Sequence, residues 1–178
     1  MKTIHHVFDT TVPRDTVFAA LTTAQGLSGW WTTIVKAEAG VGAMVHFTFA
    51  GGFNPDMRVT ALESPALVCW ECVGGHEPWA QNTFRFELGD KGDRTIVRFR
   101  QDYARELSDD DYGTYNFNWG YYLESLRLFS TTGSGTPFQA GSATARVTMS
   151  NDALVRRFTE EFKNRTNFAA ARHAPDQA

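Results

Sequence analysis

The stretch NTFRFELGDKGDRTIVRFRQDY, residues 82–103, decides the fold. Phe84, Phe86 and Leu88 interleave with Arg85 and Glu87, and Val97 and Phe99 interleave with Arg98 and Arg100. Alternation with a period of two over such short runs describes strands with one dry face and one wet face. The LGDKGDRT segment between them carries the glycines and aspartates of a hairpin turn. Strands over 83–88 and 95–103 therefore pair antiparallel, with rings on one side and charges on the other.

The same pattern continues upstream. Val45, Phe47 and Phe49 interleave with His46 and Thr48, and Met57, Val59 and Ala61 interleave with Arg58 and Thr60. Val68, Trp70 and Cys72 join the dry face when Glu71 looks outward. Further strand candidates lie around 34–37 and 3–12, separated by clusters of Gly, Pro and Asn. Between the last two, PRDTVFAALT places Pro13 in a first turn and Val17, Phe18 and Leu21 at helical spacing.

Downstream, the period changes to that of a helix. Ser108 or Thr114 is a candidate N-cap, three aspartates sit where the helix dipole favours them, and Gly133 ends the segment. Tyr115, Trp119, Tyr122, Leu123, Leu126, Phe129 and Ser130 form one stripe, assigned to the sheet. Phe117, Tyr121 and Leu128 form an opposite apolar stripe, which predicts a partner surface and a homodimer contact. A Gly/Ser/Thr-rich linker over 139–149 leads to SNDALVRRFTEEFKNRTNF, the start of an amphipathic tail helix and disordered end over 150–178. That tail docks on its own long helix, on a second subunit, or on nothing.

Composition narrows the function. The chain has 178 residues, a formal net charge of −3 and 21% charged residues, which argue for one domain and against a nucleic-acid partner. No apolar run approaches the ~20 residues of a membrane span, and the N-terminus lacks the apolar centre of a signal peptide, so a cytoplasmic location is expected. Cys69 and Cys72 lie three apart on a strand and face opposite sides, which suits neither a shared metal nor a disulfide.

No motif for a catalytic nucleophile, a metal or a cofactor is evident. His5 and His6 face opposite ways; His6 shares parity with Ile4 and Phe8 and reads as a hydrogen-bonded structural histidine. His46, Arg58 and Glu71 belong to the wet face, and His76 to a rim loop with Glu77 and Trp79. Arg94, Arg98 and Arg100 read as a solvated face paired with Glu87, with a protein-docking patch as the alternative.

Several segments resemble one family. FDTTVPRDTVFAALTTAQGLSGWWT is similar to the opening of SRPBCC (START-related) proteins, within them the group similar to the activator of heat-shock-protein-90 ATPase. SPALVCWECV, the 82–103 hairpin, NWGYYLESLRLF and TGSGTPF resemble that group's later strands, terminal helix and tail. The resemblance covers 3–138 and implies an α+β helix-grip (START/Bet v-like) domain over 1–138. In it, a curved antiparallel sheet of about seven strands wraps a long C-terminal helix, followed here by the extra tail helix. The tail separately resembles the first helix of SnoaL-like proteins and implies no activity.

The family implies a cavity between sheet and helix that takes apolar small molecules. The candidate ligand-binding residues are Trp30 and Trp31 where the small helices meet the mouth of the groove, Phe47, Phe49, Met57, Trp70, Phe84, Phe86 and Phe99 from the sheet, and Trp119, Tyr122, Leu123 and Leu126 from the long helix. Of the adjacent tryptophans, one is expected to close the core and the other to line the groove. The competing reading is that the rings fill a solid core. The resemblance also implies two alternatives to a binder: a protein-interaction module of the chaperone-activator type, and a cyclase or aromatase.

Overall fold

The computed structural model describes residues 1–49 and 51–139. The linker beyond 139 and the tail helix over 150–178 lie outside the described residues. The elements run β1 (Thr3–Thr10), α1 (Arg14–Thr22), α2 (Ala24–Trp30), β2 (Ile34–Ala37), β3 (Met44–Thr48), β4 (Asp56–Glu63), β5 (Leu67–Gly74), a 3-10 turn (Glu77–Trp79), β6 (Thr83–Lys91), β7 (Arg94–Asp102) and α3 (Asp109–Thr132). The seven described strands form one antiparallel sheet in the order β1-β7-β6-β5-β4-β3-β2. β1 thus closes the edge beside β7, and the two short helices carry the chain across to β2.

The alternation that defines the hairpin also defines the core. Phe84, Phe86, Val97 and Phe99 are wholly buried, while Arg98 and Arg100 stay in water. One strand breaks the expected parity. A register shift at Thr60 leaves Val59 opposite Trp70 but Ala61 opposite Cys69 on the wet side. Leu62, paired with Val68, takes the core position assigned to Ala61. A bulge inserts one residue without a pairing partner, and a single added residue flips every later side chain to the other face. Cys72 is buried and Cys69 lies on the opposite face, its sulfur 3.7 Å from Arg85 Nη1.

Helix α3 starts at the cap expected for it. Ser108 Oγ accepts from Asp111 N at 3.0 Å, three aspartates occupy the first turn, and Gly133 stops the helix at φ 74°. Its buried face holds Trp119, Tyr122, Leu123, Ser125 and Leu126. Beyond Gly133 the chain returns across α2 and α3. Phe138 N donates to Trp31 O at 2.9 Å, and Thr33 N donates to Phe138 O at 2.9 Å. Ser125 holds this strap: its hydroxyl donates to Trp30 O at 2.8 Å and accepts from Thr136 N at 2.7 Å.

Ser125 sits on the buried face between the apolar residues of the stripe, where the helical pattern alone would put another apolar side chain. Ser125→Ala leaves a buried carbonyl without a donor and should lower the unfolding free energy by about 1–3 kcal/mol. A urea titration checks this as a shifted midpoint at constant slope.

The strap also alters the second stripe. Tyr121 is half-buried and its hydroxyl donates to Thr136 O at 3.3 Å, so the chain's own return segment covers part of the face assigned to a partner. Phe117 remains 38% exposed and Leu128 is half-buried.

Candidate functional site

The candidate residues come together in one aromatic seam between the sheet and α3. Trp31 is its hub. Its ring lies 4.2 Å from Phe47, 5.2 Å from Trp119, 5.7 Å from both Phe49 and Trp30, and 6.1 Å from Trp70. Phe99 packs on Trp119 at 4.2 Å and on Phe86 at 4.9 Å, and Phe84 lies 6.0 Å from Trp119. Met57, Leu123 and Leu126 fill the gaps and are at most 3% exposed.

The adjacent tryptophans, of which one is expected to close the core and the other to line the groove, both lie inside the core. Trp30 is 0% exposed and Trp31 1%. The rings stack at 5.7 Å with planes 9° apart. Adjacent side chains on a continuing helix would diverge by 100°. Here α2 ends at Trp30, and the break at Trp31 lets both rings enter one core. Trp30 is anchored further by its indole N–H, which donates to Ala20 O at 2.9 Å.

The seam reaches the surface at one end. Phe49 touches Phe53 at 4.9 Å, Phe138 at 5.4 Å and Tyr122 at 6.2 Å. Phe53 stands edge-on to His76 at 4.5 Å and to Trp79 at 5.0 Å. Phe53, His76, Tyr115 and Phe138 are half-buried, whereas Phe49 and Tyr122 sit just behind them at 8% and 7% exposure. Asn54 holds this end, the mouth of the seam: its side-chain Oδ1 accepts from Phe49 N at 3.0 Å, and Gly75, at φ 72°, lies against its backbone O.

His76 and Tyr115 share a hydrogen bond at this mouth, Nε2 to Oη at 3.0 Å. Burial pushes the His76 pKa down and the Tyr115 pKa up, so both groups stay neutral near pH 7. Both shifts oppose formation of an imidazolium–phenolate pair. Burial also raises the Tyr122 phenol and keeps it protonated. His6 is tied to Asn116, with Nε2 to Oδ1 at 3.0 Å, as a structural histidine between β1 and α3.

Trp79 belongs to the seam, not to the rim where its loop position placed it. It is 3% exposed and stacks on Trp119 at 5.9 Å and 13°. The 3-10 turn folds its ring inward, and nothing in the local pattern announces that. Gln101 and Tyr103 were also missed as core residues. Their parity with Val97 and Phe99 was the available signal.

The wet face of the sheet carries several ion pairs. Arg85 pairs with Glu87, Arg100 with Asp102 and Arg94 with Asp9, each at 2.7 Å. Arg94 therefore reaches Asp9 and not Glu87. Arg58 bonds Glu71 and His46 bonds Asp56, also at 2.7 Å each. Exposed pairs of this kind contribute little to stability, because water screens them.

A curved antiparallel sheet closed over one long C-terminal helix, with the chain's rings in the seam between them, defines a helix-grip protein. The chain belongs to the family described as Activator of Hsp90 ATPase homolog 1-like protein, whose model matches residues 11–129. The Aha1 dimer from Colwellia psychrerythraea is 34% identical over 76% of this chain and all of its own, with a TM-score of 0.69. Protein SSP2350 from Staphylococcus saprophyticus (16% identity, 78% of this chain and 98% of that one, TM-score 0.64) shares the fold. So does DynU16, a putative protein in the dynemicin biosynthetic locus (16% identity, 76% and 49%, TM-score 0.63). No curated protein sequence matches the chain. No helix among the described residues is long and apolar enough to cross a membrane.

Proposed function

We propose that residues 1–138 form a non-catalytic binding domain for an apolar or aromatic small molecule, admitted between sheet and helix at the end where Phe49, Phe53, Tyr122 and Phe138 meet. The observation that carries this reading is the continuity of the rings, from wholly buried Trp31 through Phe49 to half-buried Phe53 and Phe138. Phe53 and Phe138 stand on connecting segments, which open at lower free energy than strands do. The guest enters between these rim rings, packs against Phe53, Phe49 and Tyr122, and meets the wall formed by Trp31, Trp70, Trp119 and the phenylalanines behind them.

Burial of apolar area at roughly 25 cal/mol per Å², less the cost of ordering the guest, suits micromolar affinity, about −8 kcal/mol. The neutral dye 1-aminoanthracene tests the reading. Phe53→Ala should weaken its binding about tenfold, the loss of part of one buried ring, with the circular dichroism spectrum unchanged. Equal affinity in a folded Phe53→Ala protein would sink the proposal.

A second reading, self-association through the outer face of α3, has its own support. The Colwellia relative is described as a dimer, and Phe117 is exposed on that face. Native mass spectrometry of protein purified from its own host reports a retained guest and the subunit count together. A wild-type dimer that becomes a monomer in Phe117→Glu supports this reading; a wild-type monomer refutes it.

A further inference from the structure

At the inner end of the mouth, beneath Trp79 and Tyr115, the sheet presents polar side chains to the core. The β6–β7 ladder pairs Thr83 with Asp102 and Phe84 with Gln101. One step further along the same register sets Asn82 opposite Tyr103, and alternation turns Asn82, Gln101 and Tyr103 to the core side. They are 1%, 0% and 2% exposed.

Chemistry fixes which way both amides point. The Trp119 indole can only donate, and it donates to Gln101 Oε1 at 2.7 Å. The backbone N–H of Ala104 donates to Asn82 Oδ1 at 3.0 Å. Each carboxamide therefore has its oxygen engaged and its NH2 group left over. The Trp79 indole N–H and the Gln101 NH2 approach the Tyr103 oxygen at loose geometry, while the Asn82 NH2 and the Tyr103 hydroxyl hydrogen are buried with no protein acceptor in bonding geometry.

The Trp79 N–H and the Gln101 amide lie beside the Tyr103 oxygen and favour its charged form, but burial outweighs them and holds the phenol protonated. The cluster is thus rich in donors and poor in acceptors. Buried donors without acceptors are costly and rare, and an acceptor oxygen placed among them relieves that cost. The rings around the cluster, Phe84, Tyr115 and Trp119, carry no charge, so an anionic oxygen would lose its hydration there without a cation to offset it.

We infer that Trp79, Asn82, Gln101 and Tyr103 form a polar subsite that receives the neutral carbonyl oxygen of an aromatic guest. The inference rests on the binding reading above and adds to it what the groove selects. The guest's ring stays in the aromatic seam while its carbonyl accepts from the Tyr103 hydroxyl and the neighbouring N–H groups. Ketones, quinones and amides on a flat ring fit this description; a plain hydrocarbon of the same shape leaves the donors unmet.

Two probes of matched shape separate these cases: 2-acetylnaphthalene and 2-isopropenylnaphthalene, titrated into the 15N-labelled full chain while the indole N–H resonances are followed by NMR. The ketone should bind about five- to tenfold more tightly, as one or two net hydrogen bonds would give, and should shift the Trp79 indole signal. In Tyr103→Phe the ketone's preference over the hydrocarbon should fall toward unity. That variant should fold, because it keeps the buried ring that packs beside Tyr115. Equal affinities in the wild type overturn the subsite and leave the groove reading standing, as does a preference that survives Tyr103→Phe. Failure of both probes to bind overturns the groove reading and the subsite with it.

Discussion

Trp31→Ala should lower the free energy of unfolding by about 4 kcal/mol, the scale of a large ring deleted from a packed core. The ring is 1% exposed and lies within 6.5 Å of six other aromatic rings: Trp30, Phe47, Phe49, Trp70, Trp79 and Trp119. Those neighbours come from α2, β3, the segment after β3, β5, the 3-10 turn and α3, so the void could close only if several elements moved at once. Native stabilities of about 5–15 kcal/mol make this a large share of the total. Guanidinium unfolding followed by far-UV circular dichroism measures it. A loss below about 1 kcal/mol would mean that the rings re-pack freely and that Trp31 is not the hub.

Gly75→Ala should be the most disruptive change at the mouth. The residue has φ 72°, a conformation that costs a side chain about 1–2 kcal/mol, and an added Cβ would stand 1.8 Å from Asn54 O. The overlap is with backbone, so β4's entry and the loop after β5 must separate. The overlap adds a further 1–3 kcal/mol, for a total of about 3 kcal/mol. Gly92 supplies the control. It has φ 65° with nothing within 4 Å of an added Cβ, so Gly92→Ala should show only the conformational cost, about 1–2 kcal/mol. Thermal unfolding of the two variants side by side isolates the steric part; equal losses would show that the Asn54 contact does not matter. Because Asn54 also holds the Phe49 amide, Gly75→Ala should weaken 1-aminoanthracene binding as well.

Much of this architecture is legible in short windows. The parity of Phe84, Phe86, Val97 and Phe99, the cap at Ser108 and the stop at Gly133 all appear at their expected places, because each depends on residues within a few positions of one another. The β4–β5 ladder, with register shifts between Asp56 and Met57 and at Thr60, is the exception among the strands. Those shifts are set by pairing with β5, so the run Met57, Val59, Ala61 reads as unbroken until its partner is present.

The candidate site was half visible. Alternation nominated Phe47, Trp70, Phe84, Phe86 and Phe99, and helical spacing nominated Trp119, Tyr122, Leu123 and Leu126, since a one-dimensional period reports which way a side chain faces. What lies across the gap is not encoded in any period. That Trp30 and Trp31 stack in one core, that Trp79 folds inward from its loop, and that the 133–138 strap covers Tyr121 are contacts between segments distant along the chain. The helix caps, and the dry face outside β4, were settled by local chemistry. The ring-to-ring packing, the mouth and the buried donors around Tyr103 arise only once β6, β7, the 3-10 turn and α3 share one volume, because close packing selects among arrangements that local preferences leave equal.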